Sequence, residues 1–168
     1  MFTIGHSTRT AEAFINLLHV HGVKRVADVR TIPKSRHNPQ FAGAELSASL
    51  EKAGIGYVQL PGLGGLRHAR RDSVNTAWRN ASFRGFADYM HTPEFAAALA
   101  ELEALADERP TAIMCAEAVP WRCHRSLIGD ALTVACWRVL DIIDLKPAKA
   151  HTLTPFLKVD HGRLLYAE

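Results

Sequence analysis

Cysteine is scarce in this chain: three residues in 168, an odd number that argues against a disulfide framework in a domain of this size. Long apolar runs are missing as well, since no stretch reaches the roughly 18 residues that a membrane span requires. There is no low-complexity tract, no internal repeat and no clear linker. Charge of either sign is not in large excess, and a net charge of +3 is too mild to establish a nucleic-acid partner by itself. The glycines of the segment from Pro61 to Gly65 lack both the GxGxxG spacing of a dinucleotide fingerprint and the Lys-Ser/Thr of a P-loop. Gly64 and Gly65 are therefore expected to permit positive φ or close backbone approach beside a substrate. No cofactor is expected.

What is present is a 48% hydrophobic composition, enough for one compact domain over residues 1–168 with a substantial core. The chain opens directly on strand-like residues, which reads as a soluble, cytoplasmic protein with no membrane partner. Apolar periodicity alternates strands with helices. Phe2 to Gly5 is a first strand and Ala11 to about His21 a helix, with Phe14, Leu17, Leu18 and His21 on one face. Val23 to Val29, Gly56 to Leu60, Thr111 to Cys115 and Val139 to Ile143 follow as strands. Helices are expected over Ala44–Lys52, Phe86–Met90 and Glu94–Asp107, and from Ser126 onward. Phe156–Val159 and Arg163–Tyr166 resemble a short hairpin around Asp160, His161 and Gly162. The order predicts an α/β fold, a Rossmann-like three-layer domain with a mostly parallel sheet.

The densest chemistry lies between the Cys115 strand and the Ser126 helix: two thiols, Glu117, His124, Arg122 and Arg125. A strand-to-helix loop of an open α/β sheet is where ligands bind, and a helix N-terminus flanked by Arg122 and Arg125 favours an anion. The same field would lower the pKa of Cys123 and make it a reactive thiol. Cys115, ending an apolar strand, reads as a small core residue. Glu117 suits either a helix cap or ion pair, or a general acid/base; the ring of His124 suits either a surface position or substrate contact. If the sheet is parallel, the other strand-end loops bring His6, Ser7, Asp28, Arg30 and Arg36 to the same cleft. Glu117, Cys123, His6 and Asp28 are then the catalytic candidates, and Ser7, Arg30, Arg36, Gly64, Gly65, Arg122, His124 and Arg125 the substrate-binding ones.

These residues carry a resemblance to a known family. Thr3 to Ser7, Asp28 to Arg30, Pro33 with Ser35 and Arg36, Phe41, Leu63 to Gly65, Phe86 to Met90, Cys115 to Glu117 and Cys123 to Arg125 resemble, in order, the bacterial domain-of-unknown-function 488 family. The resemblance spans nearly the whole chain. It implies a cytoplasmic α/β domain and directs attention to the same motif residues, without naming a reaction.

Two functional readings follow. In the first, the protein is an enzyme whose cationic cleft takes a phosphate-bearing substrate, a nucleotide or nucleic acid, with a carboxylate or a cysteine carrying the chemistry. A tyrosine-phosphatase-like loop also sets a cysteine after a strand and an arginine at the next helix, but Cys115 and Arg122 are spaced too far apart for it. In the second, the protein is a non-catalytic nucleic-acid-binding module. Arg67, Arg70, Arg71, Arg79 and Arg84 would contact phosphates, Trp78 and Phe83 would stack on bases, and Lys34, Arg36 and His37 would extend the surface. Metal binding by Cys115, Cys123, His124 and His6 is disfavoured, because adjacent Cys123 and His124 would struggle to reach one ion and no Cys-x2-Cys pair exists. No metal is expected, and the oligomeric state is left open.

Overall fold

The structure, a computed structural model, describes residues 1–167. Short β-branched and apolar runs form β1 (Phe2–Gly5), β2 (Arg25–Asp28), β3 (Gly56–Gln59), β4 (Thr111–Cys115) and β5 (Leu140–Ile142), all mutually parallel. A two-residue strand, β6 (Lys149–Ala150), adds antiparallel to β5, giving the order β3-β2-β4-β1-β5-β6. The helices are α1 (Ala11–Val20), α2 (Gly43–Lys52), α3 (Ala81–Tyr89), α4 (Pro93–Glu108) and α5 (Arg125–Val134). The α/β expectation holds: two helical layers enclose a mostly parallel sheet.

Alternation along each strand divides the core between the two faces. Ile4, Val26, Ala112 and Met114 meet Phe14, Leu18, Leu46 and Leu50 of α1 and α2. Ala27, Ile113 and Cys115 point the other way, onto Phe86, Leu102, Leu127 and Leu132 of α3, α4 and α5. Burial of each such leucine or phenylalanine contributes about 1.5–3 kcal/mol. Strand β7 (Leu157–Asp160) and strand β8 (Arg163–Tyr166) form the expected hairpin, with His161 at φ 45 and Gly162 at φ 82 as a type I′ turn requires. Leu164 and Tyr166 of the hairpin join the second core face.

Two elements depart from the sequence expectation. Helix α3 starts at Ala81 rather than Phe86, because Asn80 accepts from the backbone N–H groups of Ser82 and Phe83 and so nucleates a polar first turn. Strand β6 lies in a stretch to which the sequence assigns no element, since two exposed residues carry no periodicity.

The segment from 149 to 156 is pinned by buried charge. His151 Nε2 lies 3.0 Å from Asp130 and Nδ1 3.1 Å from Asp141, while Thr154 and the Tyr166 hydroxyl donate to Asp130 and the Thr3 hydroxyl donates to Asp141. Both ring nitrogens face carboxylates, so the imidazole is held as a cation; its pKa is raised to about 9, these hydrogen bonds and charges outweighing the opposing effect of burial.

Candidate functional site

The connections of the sheet define a crevice. The chain leaving β1 crosses over β4 to reach β2, whereas the chain leaving β4 crosses over β1 to reach β5. Adjacent parallel strands whose connections diverge leave a cleft beyond their carboxyl ends. The two loops are stitched together there: His6 N–H donates to the Cys115 carbonyl at 3.0 Å and Ser7 N–H to the Ala116 carbonyl at 2.9 Å. Gly5 makes the approach feasible, because a Cβ at that position would overlap the Glu117 carbonyl. Ser7 turns the chain with φ 51, a left-handed conformation uncommon for serine.

A cleft of about 850 Å³ opens at this point. Of the residues singled out from sequence, His6, Ser7, Arg30, Gly65, Glu117, Arg122, Cys123 and His124 line it. Asp28, Arg36, Gly64 and Arg125 are not among its lining residues. Lys34, His37, Cys115 and Phe83 are, together with the exposed apolar side chains of Ile32 and Leu66.

Asp28 supports the cleft from below. It is fully buried, and its carboxylate accepts from Arg30 Nε at 2.9 Å, Arg30 Nη2 at 2.6 Å and the Tyr57 hydroxyl at 2.8 Å. This paired geometry keeps the Arg30 pKa above its ordinary value despite the opposing effect of desolvation, and burial beside Asp28 pushes the Tyr57 hydroxyl up. His6 Nδ1 faces the Ser7 carbonyl at 2.8 Å, which assigns the proton to Nδ1 and leaves Nε2 to accept from Arg30 Nη1 at 3.4 Å. The ring stacks on Phe41, and burial followed by the Arg30 charge lowers its pKa, so His6 is neutral and orients Arg30.

Two thiols and an imidazole converge at one wall. His124 Nδ1 lies 3.6 Å from Cys123 Sγ and 4.0 Å from Cys115 Sγ. His124 Nε2 faces two backbone carbonyls, Val29 at 3.1 Å and Leu63 at 3.0 Å, so it carries a proton and donates to both. The ring is thus locked inward against Phe86 rather than lying on the surface, and Gly65 leaves it room, since a Cβ there would come within 2.5 Å of Nδ1. Cys115 is indeed buried with the core, yet its sulfur also lines the cleft, a role its apolar strand concealed. The lowered thiol is Cys115: a hydrogen bond from Cys123, opposed by burial, holds its pKa well below the usual value. The same contact, with burial, pushes Cys123 up, the reverse of the sequence expectation. The spacing argument against Cys123 and His124 sharing one point is also overturned. The backbone passes from extended at Cys123 (φ −140, ψ 146) to helical at His124 (φ −57, ψ −18), which brings the two side chains together.

The helix N-terminus contributes less than its sequence suggests. Arg125 is fully buried and turned away from the cleft, its guanidinium donating to the Glu117 carbonyl at 2.6 Å and the Ala118 carbonyl at 3.1 Å. The Arg125 N–H points at Cys123 Sγ, and those of Ser126 and Leu127 at the Cys123 and His124 carbonyls, so the first turn of α5 offers no ready nest for an anion. The Glu117 carboxylate neither caps the helix nor pairs with Arg122 or Arg125. Among the described residues, the side chains of Glu117, Arg122 and Lys34 have no hydrogen bond or ion pair, and each is exposed at the cleft.

The arginine-rich segment is largely occupied by its own fold. Arg67 lies over the Tyr89 ring at 3.6 Å and donates to the Gly64 carbonyl; Arg70 pairs with Asp72; Arg84 donates to the Trp78 carbonyl. Trp78 stacks on Phe83 at 4.6 Å, packs edge-on to Phe156 and, unlike Phe83, is not among the residues lining the cleft. Arg71 and Arg79 remain exposed.

The fold and the cleft define an α/β protein with a ligand-sized crevice at its sheet switch point. The model of the family described as Domain of unknown function DUF488 matches residues 10–132, and the chain belongs to that family. No curated protein and no solved structure matches the chain.

Proposed function

We propose that this protein is an enzyme that binds a phosphate-bearing substrate of nucleotide type in the switch-point cleft. One observation carries the reading: among the described residues, Lys34 and Arg122 present unpartnered cations at the cleft that the buried Arg30 also lines, and the only carboxylate lining it is that of Glu117. Phosphate groups suit such a lining, because guanidinium and ammonium groups give charge-assisted hydrogen bonds. The volume lies in the range of small-molecule sites, and Ile32, Leu66 and Phe83 supply apolar surface for a flat base at the other end of the ligand.

In this reading Lys34 and Arg122 hold the phosphate and Arg30 completes the pocket. Asp28 and His6 position Arg30. Glu117, free of internal partners, moves the proton as general base or acid. Arg36, outside the cleft, supports substrate approach only through its charge, and Arg125 acts by shaping the loop that carries Glu117.

The test is calorimetric titration of nucleoside monophosphates and short oligonucleotides into the wild type and two variants. The double variant Lys34→Ala/Arg122→Ala should weaken binding tenfold or more, each lost charge-assisted contact being worth about 1.5–3 kcal/mol. Arg79→Ala, on the arginine-rich segment, should leave it unchanged. Equal losses from both, or no binding to the wild type, would contradict the proposal.

A further inference from the structure

Three soft donor atoms meet at the wall of the cleft: Cys115 Sγ, Cys123 Sγ and His124 Nδ1 all lie within 4.8 Å of one another. We infer that these three side chains form a zinc site whose fourth coordination position opens into the cleft. In a tetrahedral zinc centre, Zn–S bonds of about 2.3 Å and Zn–N bonds of about 2.0–2.1 Å set neighbouring donors about 3.5–3.8 Å apart. The observed sulfur-to-nitrogen separations of 3.6 and 4.0 Å match that spacing to within a few tenths of an ångström.

The surroundings match as well. A metal-bound imidazole characteristically donates its other N–H to a carbonyl, which fixes the tautomer and leaves the ligating nitrogen bare. His124 does this twice over, to Val29 and Leu63, so Nδ1 is the free nitrogen and it is the one facing the sulfurs. The sulfur of Cys123 receives the N–H of Arg125 at 3.5 Å, a contact that favours a metal thiolate. Two thiolates with one imidazole form a soft set that selects zinc over magnesium or calcium.

Three protein ligands and no fourth is the pattern of a catalytic rather than a structural zinc. Among the described residues no other histidine, cysteine or carboxylate joins the cluster. All three ligands line the cleft, so water or a substrate oxygen takes the fourth position. That last assignment rests on the cleft reading above; the metal site itself does not.

Metal analysis of the full chain, expressed with zinc and dialysed, should find one zinc per chain. Competition with a chromophoric chelator should show Cys115→Ser and Cys123→Ser losing affinity by more than the roughly 10–100-fold that removal of an outer-shell partner costs. Cys136→Ser, at an exposed cysteine remote from the cluster, should bind as the wild type does. Cobalt substitution gives a second readout within the folded wild type: a thiolate-to-cobalt charge-transfer band and a tetrahedral visible spectrum. A wild type without zinc or cobalt affinity, or variants that bind zinc as the wild type does, would overturn the site. Nucleoside monophosphate titrations into zinc-loaded and zinc-free protein separate the two claims. Nucleotide binding to a protein with no metal affinity removes the zinc site alone, and zinc binding without nucleotide binding removes the cleft reading alone.

Discussion

Arg125 is the largest fully buried side chain among the described residues, and its two carbonyl partners belong to the loop that carries Glu117. Removing it strands both carbonyls without donors and opens a cavity. Arg125→Ala should therefore destabilise by about 2–5 kcal/mol, read as a fall in the urea midpoint with little change in m. Unchanged stability with weakened nucleotide binding would instead make Arg125 a recognition residue. Glu117 makes the opposite prediction. Its side chain supports nothing, so Glu117→Gln should fold as the wild type does and bind substrate at least as well, while turnover of whatever phosphate-bearing substrate is identified falls about 100-fold or more. Full activity in that variant would remove the acid/base assignment. The difference between these two residues was not legible in the sequence, where both read as polar groups at a strand-to-helix junction. Which one turns inward depends on carbonyls that only the folded loop assembles.

At the scale of elements, the sequence disclosed most strands and helices because their apolar spacing is local information. It did not disclose that β4 inserts between β2 and β1, nor that β6 pairs with β5, since such pairings are fixed by packing between distant segments. The gathering of strand-end loops was legible once parallel order was assumed. The Cys115–Cys123–His124 cluster was not, because its formation depends on a change of backbone conformation between two consecutive residues. A pH prediction belongs to the segment from 149 to 156. His151 has a folded pKa raised to about 9 against an unfolded value near 6.5, so the folded state binds the proton more tightly. Its contribution is complete below about pH 6.5 and is lost as pH rises to about 9, a change of up to about 3 kcal/mol. Chemical denaturation of wild type and His151→Gln across that window should show the wild type losing stability with rising pH and the variant running flatter. Parallel slopes would contradict a protonated His151 between Asp130 and Asp141.

Over the whole molecule, a modest net charge of +3 conceals a local asymmetry, because half of the arginines are spent on internal contacts while Lys34 and Arg122 stay free at the cleft. An extended basic face would show up as steep salt dependence. A single cleft with two or three cations holds two or three phosphates at most. The most direct measurement is fluorescence anisotropy of a labelled single-stranded oligonucleotide across a salt series, with a nucleoside monophosphate as competitor. The account predicts full displacement by the mononucleotide and a shallow slope of log K against log salt, about −1.4 to −2 for two or three phosphate contacts on a single strand. A slope several times steeper with no displacement by the mononucleotide would contradict the cleft as the binding site.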